Sequence, residues 1–73
     1  MNPPSLKNKE QLLKEFAELK ALEANAGKYY LQIATNPEVT NQTVKNALSR
    51  ISAEEEMHAQ AMQEIIDIIS TEL

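Results

Sequence analysis

The chain has no cysteine and no tryptophan, one glycine and three prolines in 73 residues. Without cysteine there is no disulfide framework and no thiolate zinc site. With so few helix breakers and no period-two alternation of apolar and polar residues, strands are not expected. Long apolar runs are missing too. The greasiest stretch, Ile65-Ile66-Asp67-Ile68-Ile69, is broken by a charge, whereas a membrane-spanning helix needs about 20 apolar residues. The first residues, Met1-Asn2-Pro3-Pro4-Ser5-Leu6-Lys7, contain nothing like a secretory core segment. A membrane partner is therefore not expected, and the default compartment is the cytoplasm. Positive charge is scarce as well. Seven basic residues stand against 11 acidic ones, for a net charge of −4, and the basic residues form no stripe. Nucleic acid is thus not the expected partner.

What is present is helix-forming. Both halves are rich in Ala, Leu, Glu, Lys and Gln. Asn8-Lys9-Glu10-Gln11 places a capping side chain three residues before a Gln, a loose capping box. Asn36-Pro37-Glu38 falls at the midpoint and reads as a turn, with Pro suited to the first position of a following helix. Thr40 or Asn41 offers a second cap just beyond. The expected organisation is one domain over residues 1–73. Helix 1 runs over about 8–35, the turn over about 36–40, and helix 2 over about 38–71, with ends uncertain by a few residues. A short turn makes the helices antiparallel neighbours. Gly27 stands inside helix 1 at a cost of up to about 1 kcal/mol relative to Ala. It is either a tolerated surface glycine or a point of close approach by a partner helix or ligand.

Each helix carries a heptad seam. The first runs Leu12, Phe16, Leu19, Glu23, Ala26, Tyr30, Ile33, and the second Val44, Leu48, Ile51, Glu55, His58, Met62, Ile65, Ile69. Glu23, Glu55 and His58 interrupt otherwise apolar lines. An unpaired carboxylate buried in a bundle costs several kcal/mol, so each needs a reason. Folding the hairpin about residues 38 and 39 sets Glu23 level with residue 54, within about one turn of Glu55 and His58. Glu55 and His58 are three apart and share a face. The three intrusions therefore converge.

Carboxylates with an imidazole suit divalent iron, with manganese or zinc as alternatives. Di-iron carboxylate bundles use a Glu from each of two helices and a Glu-x-x-His from each of the other two. This chain holds half of that set. Leu13, Leu22, Tyr29, Ile66 and Ile68 lie off the seams, more apolar surface than one hairpin can bury. Dimerisation answers both shortfalls and gives an all-α four-helix bundle. The competing expectation is a metal-free helical oligomerisation module, with Glu55 and His58 neutralising each other and the polar layer fixing register. Met57 and Met62 are expected as packing, and Glu54 and Glu56 as a solvated acidic face.

The stretches Leu22-Glu23-Ala24 with Tyr29-Tyr30, Glu54-Glu55-Glu56-Met57-His58-Ala59, and Asn36-Pro37-Glu38 resemble the ferritin-like superfamily. The nearest likeness is to the encapsulated ferritin-like proteins, two-helix half-ferritins that complete a di-iron site across a subunit interface. Rubrerythrin-type proteins share the Glu-x-x-His. The resemblance implies Glu23, Glu55 and His58 as iron ligands and Tyr30 beside them. It implies oxidation of Fe(II) by O₂ for iron storage or detoxification, a homodimer or larger oligomer, and an encapsulin shell as a partner. A rubrerythrin-like reduction of peroxide or oxygen is the alternative chemistry on the same residues. Leu22 and Asn25 depart from the family, where additional acids often stand. The family's cargo proteins end in a shell-docking tail, whereas this sequence ends at Leu73, so the expectation is either that such a tail was removed or that the protein is not targeted that way.

Overall fold

The computed structural model describes residues 8–73. Two helices make up the fold: α1, Lys9–Thr35, and α2, Gln42–Glu72, packed along each other as a hairpin. The Pro3-Pro4 pair lies outside the described residues. None of the described helices is long and apolar enough to cross a membrane.

The start of α1 follows from its first residues. Asn8 is extended, and its side chain accepts the backbone N–H of Gln11 at 2.9 Å. The Gln11 side chain in turn accepts the Asn8 N–H at 3.1 Å. Two donors that the first turn would leave bare are thus satisfied reciprocally. The helix ends at Thr35 because Asn36 precedes a proline, which disfavours helical dihedrals. Asn36 is extended, with φ −66° and ψ 128°.

Helix 2 begins later than the expected position near residue 38. Asn36 Oδ1 accepts the Glu38 N–H at 2.9 Å, and Asn36 O accepts the Val39 N–H at 3.0 Å. These bonds close a β-turn with Asn first and Pro second, where each is favoured. Pro37 therefore serves the turn and not the helix. Asn41 provides the cap, its side chain accepting the Val44 N–H at 3.0 Å.

Among the described residues, three of the four buried between the helices are small. Gly27 and Ala34 are the buried residues of α1, and Ala59 and Ile69 those of α2. Gly27, Ala34 and Ala59 each sit one residue beyond a seam position. The line of closest packing is therefore displaced round the helices from the seams. Most seam side chains are half-buried, Leu19, Val44 and His58 are exposed, and only Ile69 among them is buried. No large side chain is fully buried among the described residues. Leu22, Tyr29 and Ile68, read as surplus apolar surface, are exposed, whereas Leu13 and Ile66 are half-buried.

Side-chain hydrogen bonds tie the helices together. Ser52 Oγ donates to Gly27 O at 2.7 Å, Lys20 Nζ to Gln63 Oε1, and Lys9 Nζ to Ser70 O at 3.0 Å. They stand at three levels, from near the turn to the open end of the hairpin.

Candidate metal centre

Glu23, Glu55 and His58 come together. Each offers a ligand atom, and these atoms all lie within 4.8 Å of one another. Glu23 comes from α1, while Glu55 and His58 rise one above the other from α2, as their spacing requires. His58 Nδ1 stands 3.4 Å from Glu23 Oε2 and 3.9 Å from Glu55 Oε1. Burial is graded across the cluster. The side chains of Glu55, Glu23 and His58 are 23%, 31% and 59% exposed. In one hairpin the cluster thus lies at the edge of the packed line, with the imidazole toward solvent.

Two electrostatic features set the cluster apart. Glu23 Oε2 is a buried oxygen without a hydrogen-bond partner. Leaving a buried acceptor unpaired costs about 1–3 kcal/mol, more when it is charged. Glu55 is the second feature. Its carboxyl is held above its ordinary value, chiefly by hydrogen bonding to Glu23, then by desolvation and by the negative charge of Glu23. Glu54 pushes the same way, and His58 opposes them. Two carboxylates facing each other without sufficient positive charge favour sharing a proton.

The donor set fits a transition metal. Bonds of about 2.0–2.2 Å place two ligands of one metal no more than roughly 4.4 Å apart. A side-chain adjustment of a few tenths of an ångström closes the observed set to that size. Two carboxylates and one imidazole match the preferences of iron, manganese and zinc. Three ligands also leave coordination positions free, as reactive sites require and closed structural sites do not. A cation here would satisfy Glu23 Oε2 and take the place of the proton that Glu55 favours.

The other singled-out residues lie around this cluster. Tyr30 is half-buried, two turns beyond Glu23 on α1, and its ring tilts against that of Tyr29 with centroids 6.1 Å apart. It is not one of the three clustered ligand residues. Glu54 and Glu56 are exposed, as expected of a solvated face, and Glu54 approaches Arg50 at 3.7 Å. Met57 is exposed and Met62 half-buried. Ser52 has no place in the seam reading, yet its hydroxyl joins the helices within one turn of Glu55. Nothing in the sequence sets Ser52 apart, since Ser49 stands three residues before it in the same stretch.

No family model, curated protein or solved structure matches the chain.

Proposed function

We propose that two copies of this hairpin pack through their seam faces into a ferritin-like four-helix bundle and oxidise Fe(II) with O₂. The observation that carries the reading is the convergence of Glu23, Glu55 and His58 around a buried carboxylate oxygen with no hydrogen-bond partner. The half-exposed seam supports the second copy. Leu22 alone is 66% exposed, and Leu19, Tyr29, Val44 and Ile68 are exposed with it. These are the apolar side chains that a second copy would cover. A symmetric pair would contribute Glu23, Glu55 and His58 twice, the full donor set of a di-iron carboxylate bundle.

In this reading Glu23 and Glu55 hold the cations and neutralise them, and His58 supplies a neutral nitrogen. Bound there, a pair of Fe(II) ions supplies electrons to O₂. A cation would compete with the proton for Glu55, whose carboxyl is held above its ordinary value by hydrogen bonding to Glu23. Covering the seam face would also remove His58 from water and strengthen each charge interaction within the cluster.

The competing reading is a metal-free assembly module in which protonated His58 balances the carboxylates. Its Nδ1 lies close enough to both for that role. Protonated His58 would stand 3.4 Å from Glu23 Oε2, the same unpartnered oxygen that a cation would satisfy, so the two readings part on metal uptake. An anaerobic Fe(II) titration separates the two. Saturation near one iron per chain, lost in Glu55→Gln, is the expected result. An intact oligomer that binds no Fe(II) tightly would overturn the ferroxidase reading.

A further inference from the structure

We propose that Gly27 is a positioning residue of the metal centre: its missing side chain sets the separation between the helix that carries Glu23 and the helix that carries Glu55 and His58. The inference rests on the metal-centre reading above and adds to it a residue that touches no metal.

A glycine in the middle of a helix needs a reason, since Ala there is favoured by about 1 kcal/mol. The reason is contact. A Cβ at Gly27 would lie 3.2 Å from the carbonyl oxygen of Ser52, 3.5 Å from the Cβ of Glu55 and 3.8 Å from the backbone nitrogen of Glu56. Two of these neighbours are backbone atoms, which cannot rotate aside. The third is the first side-chain carbon of a proposed ligand. The backbones of α1 and α2 therefore nearly touch at this level, and the Ser52 hydroxyl bonds the Gly27 carbonyl at 2.7 Å.

The position of this contact gives it leverage. Gly27 follows Glu23 by one helical turn, and Ser52 precedes Glu55 by three residues. Glu55 and His58 both ride on α2, so any widening at Gly27 carries them away from Glu23 together. The approach across the helices, 3.4 Å from His58 Nδ1 to Glu23 Oε2, leaves little slack. Metal constellations need their ligands held to within about 0.5 Å. Even the smallest added side chain forces a shift of a few tenths of an ångström here.

The test compares the wild-type chain with Gly27→Ala and Ser52→Ala. Each is titrated anaerobically with Fe(II), loaded separately with Co(II) for its visible absorption spectrum, and melted without metal. Gly27→Ala improves local helix propensity yet is expected to weaken Fe(II) binding about 10- to 100-fold, the range typical of residues that orient ligands. It should also change the Co(II) spectrum, which reports coordination geometry. Ser52→Ala keeps the spacing, so it should lower the melting temperature while leaving Fe(II) affinity and the Co(II) spectrum near wild type. Wild-type Fe(II) affinity and an unchanged Co(II) spectrum in Gly27→Ala would overturn the positioning role alone. So would equal weakening in both variants that tracks their loss of stability. A wild-type chain that takes up neither metal would overturn the metal-centre reading and this inference with it.

Discussion

Two lines of side chains run the length of the hairpin, and each lacks something different. The closed line, through Gly27, Ala34 and Ala59, lacks volume, so the backbones come together. The open line, through Leu19, Ala26, Tyr30, Ile51, Met62 and Ile65, has volume but no cover, and stays exposed or half-buried. Small residues thus decide how the chain folds on itself, and the large ones are left on the outside of the contact. Glu23, Glu55 and His58 lie between the two lines. One line fixes their spacing, and covering the other would dry them.

The sharpest way to break this division is a charge on the open line. Leu19 is exposed in the single hairpin, so Leu19→Lys should cost little if the hairpin acts alone. If a second copy covers the face, the change should cost at least about 2 kcal/mol per chain, the worth of one buried Leu. Sedimentation should then show a loss of dimer, with a concentration-dependent melting temperature in the parent. An unchanged mass would refute the paired-hairpin architecture.

The closed line calls for the opposite experiment. Ala59→Leu adds volume where the helices have none to spare and should destabilise by about 1–3 kcal/mol. Urea denaturation would measure the effect. Retained stability would mean that the close approach is not tightly packed. A smaller loss, about 1 kcal/mol, is expected for Asn41→Ala, which strips the cap that starts α2. Circular dichroism should show fraying at that end with the metal centre intact, and reduced iron binding would contradict the separation of cap from centre.

The smallest effect concerns pH. Glu55 titrates above its ordinary value, so the folded metal-free chain holds a proton that the unfolded chain releases. Its contribution is present below the unfolded value and is lost as pH rises through the raised folded value. Metal affinity should run the other way and increase with pH across the same window, because the cation displaces that proton. Glu55→Gln should flatten the acid-range stability slope of the apo chain. A slope that persists in this variant would assign the coupling to other groups.

Much of this was legible in the residues. Helix composition and the Asn8/Gln11 box gave α1 nearly to the residue, and heptad counting brought Glu23, Glu55 and His58 to one level. Two features were hidden for identifiable reasons. The start of α2 moved because Asn36 spends its side chain on the turn, a choice that an Asn-Pro pair leaves open. The offset between seam and packing line was hidden because heptad counting finds where large apolar residues lie, whereas two helices approach closest where residues are small. Gly27 and Ser52 have no apolar signature, and only the structure shows them facing each other.

The ties between the helices also have a mechanical consequence. Lys9 Nζ bonds Ser70 O, so the start of α1 and the end of α2 emerge at one pole. Tension applied there would peel the helices apart and load the cross-links in series. Lys9–Ser70 would yield first, then Lys20–Gln63, then Ser52–Gly27, in order of decreasing sequence separation: 61, 43 and 25 residues. Tension between that pole and the turn would run along the two helix backbones and leave these cross-links nearly unloaded. A single hairpin is therefore weak along one axis and strong along the other, and the bond beside Glu55 is the last of the three to open.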